Sequence, residues 1–315
     1  MSAVACSKRI PARVAGANYL AAIAASRLAG VKPYHTSGLA SIDAKFPGWL
    51  HNGHLITLAG RPGAGKTALS QQIGEHVAGE GKSVFFFSLE MPETELVERA
   101  AARTGRIDAG KLKIDELTPE EEVRRDRAVA RFSTLPLSVY TQCRSLDSIL
   151  KAVADGVKEL TITGEPELGL IIVDYVQKVE GKGIDVRAVV AATTAAFKQL
   201  AVELDIPIFQ LAQLNRNAAG RANPRPVQTD LKDCGNIESD SDLVLYVHRE
   251  DETGPEAEVG TLKVRHVKAG VMTLGFDGNY VAFRDMPQAG GQLALVGVPV
   301  KAGLSAPAKG QRFGM

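Results

Sequence analysis

Short, almost entirely apolar runs recur between residues 54 and 247, and polar or glycine-rich segments bound each of them. Runs of this length and continuous apolar character are typical of strands that are buried on both faces of a sheet. The pattern therefore predicts strands at Leu55–Ala59, Val84–Phe87, Leu137–Tyr140, Leu170–Val173, Ile208–Leu211 and Leu243–Val247.

Segments with helical periodicity separate these runs. The clearest helix start is Thr118, because a threonine N-cap, Pro119 and a glutamate at position 121 match the capping box. The stretch from Arg187 to Leu204 is long, alanine-rich and periodic, and it predicts a helix that backs the sheet. Alternating strands and helices indicate an α/β fold with a mostly parallel sheet flanked by helices on both faces.

The pattern changes after Glu258, where apolar and polar residues alternate. This alternation predicts strands at Thr261–Arg265 and Val271–Phe276, and Asp277–Asn279 forms a turn that leads to a third strand at Tyr280–Phe283. We expect these strands to extend the sheet in antiparallel fashion.

The two ends of the chain differ from its centre. Residues 1–36 form a basic, alanine-rich arm with no acidic residue before Asp43, and Asn18–Leu28 predicts a short amphipathic helix there. An acid-poor arm can also be a targeting peptide, but polar residues interrupt its apolar segments and favour the helix. Residues 286–315 lack any sustained period and predict a disordered tail, which leaves 37–285 as the folded domain.

Composition narrows the function classes only slightly. The chain has 315 residues, 45% of them hydrophobic, and a net charge of +1, which neither requires nor excludes a nucleic-acid partner. Cys6, Cys143 and Cys234 are widely scattered, so we expect a reducing, cytoplasmic environment, no disulfide framework and no zinc site. No apolar run is long enough to predict a membrane span.

The strongest chemical signal is the sequence GRPGAGKT at Gly60–Thr67, which matches the phosphate-loop pattern between a predicted strand and a predicted helix. In such loops backbone N–H groups surround the phosphates, Lys66 reaches the β- and γ-phosphate oxygens, and Thr67 holds Mg²⁺. The pattern predicts a nucleotide-binding segment made of Gly60, Arg61, Pro62, Gly63, Ala64, Gly65, Lys66, Thr67 and Ala68.

Three polar residues follow other predicted strands and should emerge at the same sheet edge as this loop. Asp174 can hold a magnesium-bound water, and Glu90 can orient and deprotonate a water that attacks the γ-phosphate. The amide of Gln213 can contact the γ-phosphate. Each residue also has a plainer interpretation as an ordinary polar residue at a strand end or a helix start.

Two modestly basic loops could contact a polyanion. One contains Arg216, Arg221, Arg225 and Lys232, and the other spans Lys178–Arg187. Neither contains an aromatic residue for base stacking, so binding would be to backbone phosphates without sequence readout. The alternative is that both are solvated surface loops.

The order of these motifs resembles the motor domain of DnaB-type replicative helicases from about Ser37 to Phe283. The residues that carry the resemblance are the Arg61–Pro62 pair of the phosphate loop, Phe87–Pro92 with Arg99, Ile172–Gln177, Gln213–Arg216, and Arg225–Glu238 followed by Asp240 and Asp242.

The resemblance implies a RecA-like fold in a homo-oligomeric ring, usually of six subunits, with ATP sites between subunits and single-stranded DNA through the centre. It assigns Glu90 as the catalytic base, Asp174 to magnesium and Gln213 as the γ-phosphate sensor. It also implies that Lys263 and Arg265 reach into the neighbouring subunit's site. The matching DNA-contacting loop contains Lys232, Asp233 and Gly235, where lysine replaces the more usual arginine.

The activity implied by the resemblance is ATP-dependent unwinding of DNA with 5′→3′ translocation, assisted by a loader protein. Because only about 36 residues precede the motor domain, the resemblance does not support primase binding. The basic arm matches a linker helix that docks on the adjacent subunit. Two alternatives remain open at this point: an oligomeric RecA-like ATPase in recombination or regulation that does not unwind DNA, and a nucleotide-switched interaction module without turnover.

Overall fold

A nine-stranded sheet forms the centre of the protein. The computed structural model describes residues 11–181, 185–214, 225–231, 236–251 and 253–286. In chain order the elements are α1 (Ala12–Ala29), β1 (Tyr34–His35), α2 (Ala40–Lys45), β2 (Leu50–His51), β3 (Leu55–Gly60), α3 (Lys66–Gly79), β4 (Ser83–Ser88), α4 (Glu93–Gly105), α5 (Ala109–Ile114), α6 (Pro119–Ser133), β5 (Leu137–Tyr140), α7 (Leu146–Thr163), β6 (Leu168–Asp174), α8 (Val186–Leu204), β7 (Ile208–Gln213), α9 (Ile237–Asp240), β8 (Leu243–His248), β9 (Glu256–Val264), β10 (Val271–Asp277) and β11 (Ala282–Asp285).

The strand order across the large sheet is β11-β10-β9-β8-β3-β7-β6-β4-β5. The strands from β8 to β5 in this order are mutually parallel, whereas β9, β10 and β11 continue the sheet in antiparallel fashion. β1 and β2 form a separate antiparallel pair. The predicted fold class, a mostly parallel α/β sheet with a C-terminal antiparallel extension, is confirmed.

All six strands predicted from continuous apolarity are present, with bounds that differ by at most two residues at either end. The predicted start of β9 was wrong, because this strand begins at Glu256 rather than Thr261. The predicted last strand was also misplaced. The chain turns as far as Val281, which adopts a left-handed φ of 50°, so pairing begins only at Ala282.

Successive residues of the central strands pack against helices on opposite faces. Ile172 of β6 belongs to the core that contains Leu69 and Ile73 of α3, whereas Ile171 belongs to the core that contains Phe197 of α8. This alternation follows from the two-residue period of a strand. Because both faces are covered, the central parallel strands are almost entirely apolar, which explains why the sequence pattern predicts them.

Hydrogen bonds join the last strand, β11, to helices α2 and α3 near the start of the folded region. The Gln72 side-chain amide on α3 donates to the Phe283 carbonyl and accepts from the Phe283 N–H, both at 3.0 Å. The Asp285 carboxylate accepts hydrogen bonds from the N–H groups of Ala40 at 2.9 Å and Ser41 at 2.8 Å, at the start of α2. These contacts hold β11 beside α3, which follows the phosphate loop, and beside the start of α2.

The N-terminal helix α1 starts six residues earlier than the predicted Asn18, and two residues of its expected apolar stripe are largely exposed among the described residues. Leu20 is 66% exposed and Leu28 is 89% exposed. Among the described residues, no helix combines the length and the apolar character needed to cross a membrane. The predicted disordered tail lies outside the described residues from position 287 onward.

The capping box at Thr118 supplies a test of the fold. Its hydroxyl accepts from the Glu121 N–H at 3.2 Å, and the Glu121 carboxylate accepts from the Thr118 N–H at 2.9 Å. Thr118→Ala should lower the free energy of unfolding by about 1 kcal/mol in urea titrations. Thr118→Ser keeps the acceptor and should stay close to wild type. Equal losses in the two variants would contradict the cap assignment.

Candidate functional site

The predicted site residues meet because four neighbouring parallel strands end at one edge of the sheet. Gly60 at the end of β3 pairs with Gln213 at the end of β7, and β6 lies on the other side of β7. Asp174 at the end of β6 pairs in turn with Ser88 of β4, two residues before Glu90. The loops after these strands therefore converge on one place, as expected for the carboxyl ends of a parallel sheet.

The phosphate loop depends on its glycines. Gly63 and Gly65 have left-handed φ values of 75° and 98°, a region that glycine adopts with little strain. A Cβ on Gly65 would lie 2.8 Å from the Phe283 ring, and one on Gly60 would lie 2.9 Å from the Val247 carbonyl. The loop is thus shaped by its own glycines and by packing from β8 and β11.

Lys66 is the first residue of α3, and its ammonium folds back onto the loop. It donates to the Gly60 and Arg61 carbonyls, each at 3.0 Å. Burial lowers the pKa of the Lys66 ammonium below its ordinary value, while the carboxylates of Asp174 and Glu90 oppose that shift. The ammonium is therefore poised at the loop beside two carboxylates.

Asp174 is the most buried carboxylate of the site, with only 2% of its surface exposed. The Thr67 hydroxyl donates to Asp174 Oδ2 at 2.6 Å. Burial raises the pKa of Asp174 above its ordinary value, and the Thr67 hydrogen bond and the Lys66 charge act in the opposite direction. A cation brought to this carboxylate would offset the cost of burying its negative charge.

The donor set fits Mg²⁺. A hydroxyl and a carboxylate that already touch one another present hard oxygen ligands at the first turn of α3, and a magnesium ion with its waters requires ligands of this type. Thr67 and Asp174 are therefore the residues that could hold the ion.

A cavity of about 640 Å³ opens in front of the phosphate loop. Glu90, Asp174 and Gln213 all line it together with the loop, so the structure brings these predicted residues into one space. The carboxylate of Glu90 is exposed, in contrast to that of Asp174. An exposed acid beside a buried one suits a division between contact with water and contact with a metal.

Other residues of the cavity wall were missed by the sequence reasoning. Glu95, Glu98, Ala109 and Lys113 reach it from the α4–α5 region, and Phe276 and Val281 close other sides, whereas Met91, Arg99 and Tyr175 had been noted only through the resemblance. Phe276 and Val281 come from the antiparallel extension, more than 200 residues after the loop. No local pattern in the sequence identifies such long-range neighbours.

The backbone of Gln213 is held in place by the side chain of Gln177. The side chain of Gln177 donates to the Gln213 carbonyl at 3.0 Å and accepts from the Gln213 N–H at 3.2 Å. Gln177 lies in the 3₁₀ turn Val176–Lys178, which begins two residues after the last residue of β6. The two-way bond fixes the end of β7 against the segment that follows Asp174.

Lys263 and Arg265 lie at the opposite edge of the sheet from the phosphate loop. Lys263 lies near the end of β9 and pairs with Val244 near the start of β8. Arg265 is the residue directly after β9. Strand β3 separates the two edges by five residue steps from Leu55 to Gly60, or about 16 Å at the usual rise. Neither residue lines the cavity in front of the phosphate loop.

Both cations contact the segment that precedes β8. The Lys263 ammonium donates to the carbonyls of Glu238, Ser239 at 3.1 Å and Ser241 at 2.8 Å, which matches its three N–H donors. The Arg265 guanidinium donates to the Ser239 carbonyl. Lys263 and Arg265 therefore hold the short helix α9 and Ser241 in place through hydrogen bonds to their carbonyl groups.

One of the predicted DNA-contacting residues, Arg225, lies within the described residues. Arg216, Arg221, Lys232, Asp233 and Gly235 lie outside the described residues. Arg225 is described, and its guanidinium forms an ion pair with Glu258 of β9 at 2.8 Å. A DNA phosphate that contacts Arg225 would therefore compete with the Glu258 carboxylate for its guanidinium.

Gly65 gives a direct test of the loop geometry. Gly65→Ala adds a Cβ against Phe283 to a residue whose φ is already 98°, so the loop must change shape. We expect nucleotide affinity to fall at least about tenfold in titrations with a fluorescent ATP analogue. Gly79→Ala, at the other end of α3, has no atom within 4 Å of the new Cβ and should bind like wild type. Unchanged binding by Gly65→Ala would contradict this account of the loop.

Comparison with known proteins identifies the family of this chain. The model of the DnaB-like helicase C terminal domain matches residues 35–285. The chain is 30% identical over 257 residues to a replicative DNA helicase DnaB of Geobacillus stearothermophilus, which covers 78% of this chain and 55% of that protein. A probable plasmid replicative DNA helicase of Chlamydia muridarum (strain MoPn / Nigg) is 32% identical over 243 residues, which cover 76% and 52%. The chain thus spans about half the length of these relatives.

Solved structures share the fold. One solved ATPase domain superposes with a TM-score of 0.75 at 22% identity, and the match covers 86% of this chain and 98% of that one. A DnaB-like replicative helicase, solved in a study of its interactions with primase, gives a TM-score of 0.74 at 22% identity and covers 84% and 67%. These similarities confirm the expected RecA-like fold, and the matched family model shows that the chain belongs to the DnaB-like helicase C-terminal domain family.

Proposed function

We propose that this chain is the motor of an ATP-driven, replicative-type DNA helicase that acts in the cytoplasm and translocates 5′→3′ on single-stranded DNA. The observation that carries the proposal is the division of its chemistry between two sheet edges. One edge holds a phosphate loop with acids and a glutamine, and the other holds Lys263 and Arg265. Such a subunit is complete only beside a second copy.

In this proposal the phosphate loop and Lys66 bind the β- and γ-phosphates of ATP. Glu90, exposed at the cavity mouth, orients and deprotonates the attacking water, and Gln213 senses the γ-phosphate from the end of β7. Thr67 and Asp174 would hold Mg²⁺, which when bound neutralises charge on the phosphate oxygens. These roles agree with the burial of Asp174 and the exposure of Glu90.

The neighbour's Arg265, with Lys263, would complete each site in a homo-oligomeric ring that we propose to be hexameric. A head-to-tail contact between different faces closes into a ring when its rotation permits. Hydrolysis at each interface would then move the loops that grip single-stranded DNA, and a loader protein would place the ring on its strand. The contact of Lys263 and Arg265 with residues 238–241 supports such a link, because this segment follows the proposed DNA-contacting loop.

The arginine in trans is tested by Arg265→Ala. Turnover should fall by about 10³- to 10⁵-fold, or roughly 4 to 7 kcal/mol of barrier, while ATP binding persists because the loop is intact. ATPase rates and nucleotide affinity are measured on the same preparation. Arg284→Ala removes an exposed arginine of β11 and should leave both unchanged. Near-normal ATPase in Arg265→Ala would exclude the assignment.

Strand displacement on a forked duplex distinguishes unwinding from the non-unwinding alternative. We expect ATP-dependent displacement that requires a 5′ single-stranded tail, and none from Glu90→Gln, which lacks the proposed base. DNA-stimulated ATPase without displacement would favour a RecA-like ATPase of recombination or regulation. ATPase that ignores single-stranded DNA would contradict the helicase proposal.

A further inference from the structure

Asp242 lies at the junction of three strands and a helix, outside the nucleotide cavity. Its side chain is 4% exposed, and its carboxylate is 2.8 Å from the Lys198 ammonium on α8. The same oxygen, Oδ2, accepts the Leu55 N–H at 2.9 Å, at the start of β3. This residue therefore ties the beginning of β8 to the strand that carries the phosphate loop.

The backbone of Asp242 adds two further ties. Its N–H donates to the Leu55 carbonyl at 2.8 Å, and its carbonyl accepts the Arg265 N–H at 3.0 Å. Arg265 is thus joined to Asp242 at the point where β9 ends. This backbone hydrogen bond fixes the Arg265 backbone, from which its side chain extends.

The second carboxylate oxygen of Asp242 faces the Arg265 guanidinium and the His266 ring. Oδ1 lies 3.6 Å from Arg265 Nη1 and 3.9 Å from His266 Nε2. Burial alone would raise the pKa of Asp242, but the hydrogen bonds from Lys198 and Leu55 outweigh it, so its pKa lies below the ordinary value. Asp242 is therefore a carboxylate at neutral pH, and it attracts the Arg265 guanidinium.

The guanidinium of Arg265 is constrained from a second side. It donates to the Ser239 carbonyl, while Lys263 spans the carbonyls of Glu238, Ser239 and Ser241. The Arg265 side chain nevertheless remains 43% exposed. A buried carboxylate behind it and a carbonyl beside it leave the arginine oriented at the surface of the subunit.

We propose that Asp242 is a positioning residue that holds Arg265 in the orientation required by the neighbouring subunit's active site. The inference rests on the proposed in-trans role of Arg265 and adds the group that pre-orients it. Orienting a long side chain before the subunits meet reduces the conformational freedom that would otherwise be lost in the transition state. Asp242 itself touches neither nucleotide nor DNA in this arrangement.

Asp242→Asn is the most conservative test, because it retains an oxygen acceptor for Leu55 and the backbone bonds while removing the charge. We expect kcat for ATP to fall at least about tenfold and KM for ATP to stay within about twofold, since ATP is bound by the other half of the site. Lys198→Gln breaks the same buried ion pair but leaves the carboxylate beside Arg265, so its kcat should fall less than about threefold. Equal losses in the two variants would mean that Asp242 only stabilises the fold, and would overturn the proposal.

Mixed oligomers decide whether Asp242 acts across the interface. Lys66→Ala subunits have a defective phosphate loop but an intact Asp242 and Arg265, whereas Asp242→Asn subunits have an intact phosphate loop and Arg265 but lack the positioning carboxylate. Equal, random mixing should restore roughly a quarter of the wild-type ATPase rate, because about one interface in four pairs an intact loop with an intact arginine. The Glu90→Gln and Lys66→Ala mixture, in which both defects lie in the same half-site, should restore nothing.

A third mixture separates this inference from the proposed function. Arg265→Ala with Lys66→Ala should also regain activity. If that mixture recovers and the Asp242→Asn mixture does not, the positioning role is wrong although the in-trans arginine stands. If neither recovers, the in-trans site itself fails, and the positioning role with it. Should Asp242→Asn fail to assemble, Asp242→Glu displaces the carboxylate by one methylene and is judged by the same mixtures.

Discussion

Parallel hydrogen bonding between β3, β7, β6 and β4 is the constraint on which the site depends. It brings the ends of four strands to one edge, so residues more than 150 positions apart in the chain, such as Gly60 and Gln213, become neighbours. Each strand is buried on both faces, which fixes its register through packing with α3 on one side and with α7 and α8 on the other. The chemistry can then be carried by short loops at that edge.

The antiparallel strands β9, β10 and β11 instead place residues at both ends of the parallel strands. Because β9 runs against β8, it carries its last residues back to the amino edge of the parallel strands and leaves Arg265 there. β10 and β11 return to the loop edge, where Phe283 packs on Gly65. The same three strands therefore shape the phosphate loop and remove Lys263 and Arg265 from it. In the proposed ring, a subunit built in this way would present one half of a site at each edge, and a neighbour would supply the missing half.

Much of this could be predicted from the sequence, and the limits have physical causes. Continuous apolarity marked the six parallel strands because helices cover the sheet faces, and Glu90 and Asp174 were placed correctly because they lie at the end of such strands or within two residues of it. The start of β11 was misplaced because a turn with Val281 at positive φ delays pairing. Phe276 and Lys113 were missed because only tertiary packing brings them to the cavity. The contacts of Lys263 with backbone carbonyls could not be predicted from the sequence either, because α9 has only four residues and leaves no periodic pattern.

The central claim is that one subunit holds only half of a working site. The most direct measurement is the ATPase rate per subunit during serial dilution through the range in which the oligomer dissociates, with assembly followed by native mass spectrometry on the same samples. The account predicts that turnover per subunit collapses as oligomers disappear, while nucleotide binding to the phosphate loop persists. A turnover per subunit that stays constant down to the monomer would contradict it.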